Sequence, residues 1–261
     1  MGEDGNTSSL LNLLFIIFYD ILYIESGKEI INMFKLEDVE RARRIVEMLD
    51  IPKEFGSHED SDETNDEISE QLEDVINGDY FVSNGVSKLV IIVDDLPFVI
   101  KIPFNGRWVY NDDEEGYEDE YFYEFTQADD MFGNNYCYCE LEKTREVEEV
   151  GFGYFVPDMM YLCTVCGRDI YIQEKVTPIC ECRGKISPSA DSLERAKKVR
   201  SPFTDNWIAL VIDLYGENAL NEFMQWARMY DNEILSDMHS GNYGIDMNGY
   251  PKLLDLSGFR D

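Results

Sequence analysis

Apolar and polar positions follow two different rhythms along this chain. Over Leu36–Leu49, apolar Val39, Ala42, Ile45, Val46 and Leu49 recur at helical spacing until Pro52 stops them. From Asp79 the period shortens to that of strands. Tyr80–Val82, Lys88–Val93 and Pro97–Pro103 are divided by Ser83, Asn84 and Gly85 and then by Asp94 and Asp95, residues that favour turns. Three consecutive antiparallel strands are expected there. Cys139–Val150 returns to a helical pattern, with Leu141, Thr144, Val147 and Val150 as its buried face and Gly151 as a C-terminal cap. Met159–Thr164 and Asp169–Val176 then predict two more strands around a turn at Cys166, Gly167 and Arg168. Two helices follow, Asn206–Tyr215 and Asn218–Tyr230, the second with Leu220, Phe223, Met224, Ala227 and Tyr230 on one face. Finally, Tyr243–Leu254 reads as two short strands about Asn248-Gly249, the dipeptide that most favours a tight hairpin. No internal repeat at a fixed period is present.

The first 78 residues predict a helical extension. Its apolar run Leu10–Ile24 falls short of the ~20 residues a bilayer span needs, is interrupted by Asn12 and Asp20, and has no basic residue before it. A buried helix is expected, with a membrane-associated N-terminus as the alternative. Acidic Ser57–Glu70 reads as a solvated linker containing an exposed His58, and Asn111–Tyr121 is a second acidic stretch.

Composition narrows the functional classes. With 261 residues, 44% of them hydrophobic and 13% aromatic, the chain can bury a substantial core. A net charge of −32 argues against sequence-independent binding of nucleic acid or of anionic membrane, both of which require clustered Lys and Arg. Six cysteines occur as Cys137/Cys139, Cys163/Cys166 and Cys180/Cys182. Reduced thiols in a cytoplasm are the expectation, and a zinc site joining the last two pairs is a competing one.

The candidate chemistry lies near the end of the sequence. Asp237 is followed five positions later by Asn242, and Asp255 comes 13 positions after that, with the predicted hairpin in between. An Asp that orients a hydroxyl, with an Asn and a second Asp that hold Mg²⁺ against phosphates, is the division of labour in phosphoryl transfer. The hairpin would return Asn242 and Asp255 to one metal site. From about residue 79 onward the sequence resembles the protein-kinase-like superfamily. It is closer to the aminoglycoside-phosphotransferase-like branch, and is most similar to the short kinase-like proteins of bacteriophage and prophage genomes. The Asp-Leu-His-Pro-Gly-Asn loop of that branch corresponds here to Asp237-Met238-His239-Ser240-Gly241-Asn242, while the familiar His-Arg before the Asp is replaced by Leu235-Ser236.

That resemblance implies a bilobal α+β fold. Residues 79–176 would form an N-lobe with a five-stranded antiparallel sheet and one helix, and residues 177–261 a truncated, mostly helical C-lobe. It implies Asp237 as the catalytic Asp and Asn242 and Asp255 as metal ligands. Lys101 would contact phosphate and be held by Glu140, with Glu142 as the substitute. Gly85 would lie in the phosphate-covering turn, which is also readable as a plain hairpin turn, with Lys88 near enough to reach a phosphate. Gln173, Glu174, Lys175 and Val176 would form the hinge that hydrogen-bonds the nucleotide base. His239 is expected to be structural, bonded to the loop backbone. The implied ligands are ATP and Mg²⁺, and the implied acceptor is a protein or small-molecule hydroxyl. Only six residues follow Asp255, where the family continues into an activation segment and acceptor-platform helices; the N-terminal helices or a partner are expected to supply that side. The alternative is a nucleotide- or protein-binding module of the pseudokinase type, without turnover. Location in the cytoplasm is expected, that of the host if the chain is phage-encoded.

Overall fold

The computed structural model describes residues 34–52, 54–57, 61–85, 87–109, 120–126, 135–182, 184–230 and 238–256. The expected helix at Leu10–Ile24, His58, most of the second acidic stretch and Asp237 lie outside the described residues. Residues 37–261 group into one compact unit and residues 1–36 into another. Among the described residues no helix is long and apolar enough to cross a membrane.

Alternation along two strands builds the centre of the molecule. In β3 (Lys88–Val93), Leu89, Ile91 and Val93 point one way and are fully buried, while Lys88, Val90 and Ile92 point the other. β4 (Phe98–Val109) continues the pattern, with Phe98, Ile100 and Ile102 in the core and Val99 and Lys101 on the opposite face. β2 (Tyr80–Asn84) pairs with β3, and the first turn of β4 lies between β3 and β7 (Arg168–Glu174), which in turn pairs with β6 (Met159–Val165). Every pairing is antiparallel. These five strands are the ones the sequence predicts.

The sheet nevertheless has seven strands, not five. Beyond Pro103, β4 runs on to pair with β5 (Glu120–Phe125), and β5 pairs with β1 (Glu54–Ser57). Neither strand was expected: β1 ends where the first acidic stretch begins, and β5 starts where the second one ends. The linker reading of Ser57–Glu70 also fails, because Ser61–Glu73 forms helix α2. Its buried residues Thr64, Ile68 and Leu72 recur every fourth position, enough to seat one narrow stripe beside β1 and β2. The preceding helix α1 (Leu36–Glu47) buries Ala42, Ile45 and Val46 and is tied to the sheet by Arg41 on Asp95 and by Arg43 on the Leu162 carbonyl.

Helix α3 (Tyr136–Glu149) begins at an Asn135 cap whose side chain accepts the Tyr138 amide. It ends in a Schellman turn: Gly151, at φ 92°, donates to the Glu148 carbonyl and Phe152 to that of Val147. Leu141, Thr144 and Val147 are buried as predicted, but Val150 caps the helix and is 47% exposed.

The remaining elements are helices α4 (Ala190–Ala196), α5 (Asp205–Tyr215) and α6 (Glu217–Tyr230) and a three-stranded antiparallel sheet of β8 (Val176–Pro178), β9 (Tyr243–Asp246) and β10 (Pro251–Leu253). They enclose an aromatic core of Phe155, Phe203, Trp207, Phe223 and Tyr243, with Leu220, Met224 and Ala227 contributed by α6 as expected. The Trp207 indole donates to the Gly244 carbonyl at 2.9 Å, and the Tyr243 hydroxyl accepts the Thr204 amide at 3.1 Å. The hairpin that follows Asn242 is thereby bolted to α5. Its tip obeys the Asn-Gly expectation, with Gly249 at φ 85° and the Asp246 carboxylate accepting the amides of Asn248 and Tyr250. In all, six α-helices and two antiparallel sheets are described.

Where β8 crosses β9 the backbones nearly touch. A Cβ at Gly244 would sit 1.9 Å from the Thr177 oxygen and 2.9 Å from the Pro178 Cα. Neither contact is a flexible side-chain end, so only glycine fits. Gly244→Ala is expected to destabilise the protein by about 3 kcal/mol or more, read as a loss of denaturant midpoint; a neighbouring Met247→Ala, at an exposed hairpin position, should leave it within about 0.5 kcal/mol.

Candidate active site

Glu140 occupies the middle of the molecule, 1% exposed, on the second turn of α3. An isolated carboxylate at that depth would be untenable. Its Oε1 accepts from Lys101 Nζ at 3.0 Å, from the Gln173 amide at 2.8 Å and from the Asp255 backbone amide at 3.2 Å. Its Oε2 accepts from Lys101 Nζ at 2.9 Å and from Lys88 Nζ at 2.9 Å. Burial works to raise the Glu140 pKa, but Lys101 and then Lys88 outweigh it, and the carboxyl is held well below its ordinary range. Glu142, one turn from the buried face, pairs instead with Arg145 near the surface.

Strand alternation explains why the lysines converge. Lys88 and Lys101 lie on neighbouring antiparallel strands and on the same face, as does Gln173 of β7, so all three meet the helix that carries Glu140. Lys88 also reaches across to Asp255, its Nζ 2.7 Å from Oδ1. Burial disfavours the Lys88 ammonium, yet Glu140 and then Asp255 raise its pKa above the usual lysine value. The ionic pair Lys101–Glu140 was expected. The second lysine was assigned only a general reach toward phosphate, and its double contact depends on a pairing 167 residues apart that no local pattern signals.

Asp255 stands at φ 52°, a conformation that non-glycine residues rarely adopt and that Asp tolerates better than most. The Leu254 amide donates to the Asn242 carbonyl at 2.7 Å, so closure of the β9–β10 hairpin sets Asn242 and Asp255 side by side. His239 accepts the Gly241 amide on Nδ1 at 3.0 Å, the structural role expected of it.

These groups border a cavity of about 660 Å³, within the range of small-molecule sites. Gly85, Lys88 and Lys101 line it on the sheet side, Glu174 and Val176 at the strand crossing, and Asn242 and Asp255 on the hairpin side. Aliphatic Val90, Ile92 and Val99 give it one apolar wall. The cavity therefore gathers every expected site residue that is described except Glu140, which stands behind the lysines. Gly85 takes the plain turn geometry, its amide donating to the Lys88 carbonyl at 3.0 Å and Asn84 held by Asn65 of α2. A larger depression of about 850 Å³ along α6, lined in part by Lys198, Arg200 and Arg228, contains none of these residues.

An amide oxygen and one carboxylate suit a hard cation such as Mg²⁺, which keeps few protein ligands and takes the rest from phosphates and water. Among the described residues no three His, Cys, Asp or Glu side chains cluster together. Cys166 lies on a hairpin tip against the Leu49 carbonyl, and Cys182 donates to the Thr177 carbonyl. No family model matches the chain, and no curated protein matches it.

Glu174 behaves differently from Glu140. It is 2% exposed, its Oε2 lies 3.5 Å from Lys252 Nζ, and its Oε1 has no hydrogen-bond partner. Burial pushes its carboxyl up to about 7, with Lys252 opposing and Asp246 and Asp158 adding to the rise.

Two measurements test this electrostatic account. Glu140→Ala strands two buried ammonium groups and is expected to cost roughly 3–5 kcal/mol in denaturant unfolding, whereas Glu142→Ala should cost about 0.5 kcal/mol or less. Because the folded pKa of Glu174 is raised, the native state holds the proton more tightly, and stability falls as pH rises from the unfolded value near 4.5 through about 7. The stability of Glu174→Gln relative to wild type should therefore increase between pH 4.5 and 8, by up to ~3 kcal/mol, and a flat difference would reject the assignment.

Proposed function

We propose that this chain is an ATP·Mg²⁺-dependent phosphotransferase of the protein-kinase-like kind, which transfers the γ-phosphate to a hydroxyl of a protein or small-molecule acceptor. One observation carries the reading: a buried carboxylate braced by Lys101 also accepts the amide of Asp255, and Asp255 and Asn242 share one cavity with that lysine. The expected strands β2, β3, β4, β6 and β7, with α3 before β6 and with helices and a hairpin after them, support the reading, although β1 and β5 widen the sheet to seven strands.

In this reading Lys101 holds the α- and β-phosphates, and Glu140 fixes its ammonium in place. Gln173 fixes Glu140 in turn, so the cation is set before the nucleotide arrives. Val90, Ile92 and Val99 offer an apolar surface for the base beside the strand crossing at Glu174–Val176. Asn242 and Asp255 hold the magnesium, which supplies charge neutralisation at the phosphates. Asp237, placed by its spacing from Asn242, orients the acceptor hydroxyl. As the acceptor oxygen bonds to the γ-phosphorus, the bond from that phosphorus to the β–γ bridging oxygen breaks. ADP leaves, and the hydroxyl proton passes to the Asp237 carboxylate.

A second reading keeps the nucleotide and drops the turnover. It is favoured by the Lys88 ammonium, which occupies the Asp255 carboxylate at 2.7 Å. Labelled ATP separates the two. Asp237→Asn is expected to abolish phosphate transfer, including transfer to water or to the protein itself, and to leave the ATP-induced stabilisation intact, about 2.7 kcal/mol at a hundred times the dissociation constant. Equal transfer by wild type and variant would remove Asp237 from the mechanism; stabilisation of both with transfer by neither would favour the binding module.

A further inference from the structure

We propose that Lys88 is a displaceable cation: it holds the Asp255 carboxylate, and it moves onto phosphate oxygens when nucleotide and magnesium enter. The inference rests on the nucleotide reading above and adds a residue and a regulation to it.

The two lysines are not equivalent. Lys101 is held by both oxygens of Glu140, whereas Lys88 divides its ammonium between Glu140 Oε2 at 2.9 Å and Asp255 Oδ1 at 2.7 Å. Glu140 does not need Lys88. Without it the carboxylate still accepts two hydrogen bonds from Lys101, one from Gln173 and one from the Asp255 amide. Asp255 is the more open partner, its side chain 38% exposed against 8% for Lys88, so the contact that must be released faces the cavity.

Charge gives the direction of the exchange. Lys88 and Lys101 balance Glu140 and Asp255, leaving the nucleotide-free cluster neutral. A divalent ion on Asp255 would stand against the Lys88 ammonium, and like charges at that distance repel strongly in a partly buried site. Phosphate oxygens give the ammonium another anion to hold. Lys88 is the first residue of β3 and lines the cavity together with Gly85 and Ser87. Its unbranched four-carbon stem lets the charge shift by several rotamers while the backbone stays in the sheet. Magnesium alone must therefore compete with Lys88 for Asp255, whereas nucleotide with magnesium draws Lys88 away and opens the carboxylate.

The full chain, free of nucleotide, is titrated with Mg²⁺ alone by calorimetry, and separately with ATP at saturating Mg²⁺. Lys88→Met is expected to bind Mg²⁺ about fivefold more tightly than wild type, the scale of one lost competing ion pair on a half-exposed carboxylate, and to bind ATP·Mg²⁺ more weakly. Lys88→Arg, which keeps the charge, should keep the weak Mg²⁺ affinity of wild type. Thermal melts of both variants report folding, and if only the arginine variant folds, an Mg²⁺ affinity raised in it would overturn the proposal. Unchanged Mg²⁺ affinity in Lys88→Met, with ATP still bound by wild type, overturns this proposal alone. Failure of wild type to bind ATP at any Mg²⁺ concentration overturns the nucleotide reading, and with it the role of phosphate in moving Lys88.

Discussion

A single buried carboxylate organises this molecule. Glu140 joins α3 to β3, β4, β7 and the segment after β10, because each of those four sends a donor to its oxygens. The arrangement is stable as a set and poor in parts: a buried ion cluster offers little over an apolar core when complete, but losing a partner leaves charge without solvent. Sheet register, helix placement and hairpin closure must therefore be correct together. The same condition that makes the cluster costly to assemble holds the Lys101 ammonium in one place, braced by both oxygens of Glu140.

The cavity draws its two kinds of wall from one rule. Alternation on β3 and β4 sends Leu89, Ile91, Phe98 and Ile100 into the core and turns Lys88, Val90, Ile92, Val99 and Lys101 toward the opening. A charged end and an aliphatic end on one face suit a ligand that is itself half polyanion and half flat ring. On the other side, Trp207 and Tyr243 fasten the hairpin flanked by Asn242 and Asp255, so these two residues inherit the rigidity of an aromatic core.

Legibility in the sequence tracked how local each signal was. The strands from Tyr80 to Pro103, the turn at Cys166-Gly167, the Asn248-Gly249 hairpin and the apolar face of α6 are set by neighbours a few residues apart, and they stand where expected. The Lys101–Glu140 pair was legible through the family resemblance, with the Leu141/Thr144/Val147 stripe favouring Glu140 over Glu142. Three features were not. α2 presents only Thr64, Ile68 and Leu72 to the interior, and thirteen residues so rich in acid read as solvent. β1 is a strand by virtue of its pairing, whereas Tyr121, Phe122, Tyr123 and Phe125 give β5 an aromatic strand signal that the adjoining acidic stretch obscured. The contact of Lys88 with Asp255 is written in tertiary structure alone.

At the strand crossing, Lys175 is the single residue between β7 of the large sheet and β8 of the small one. Its amide donates to the Pro97 carbonyl at 3.0 Å, and its ammonium to the carbonyls of Val93 and Asp94 at 2.6 and 3.1 Å. A pivot one residue long, clamped at both backbone and side chain, leaves the chain little slack for swinging its halves apart. Access to the cavity would then depend on rotamer changes of the long side chains that line it, and less on one sheet shifting against the other.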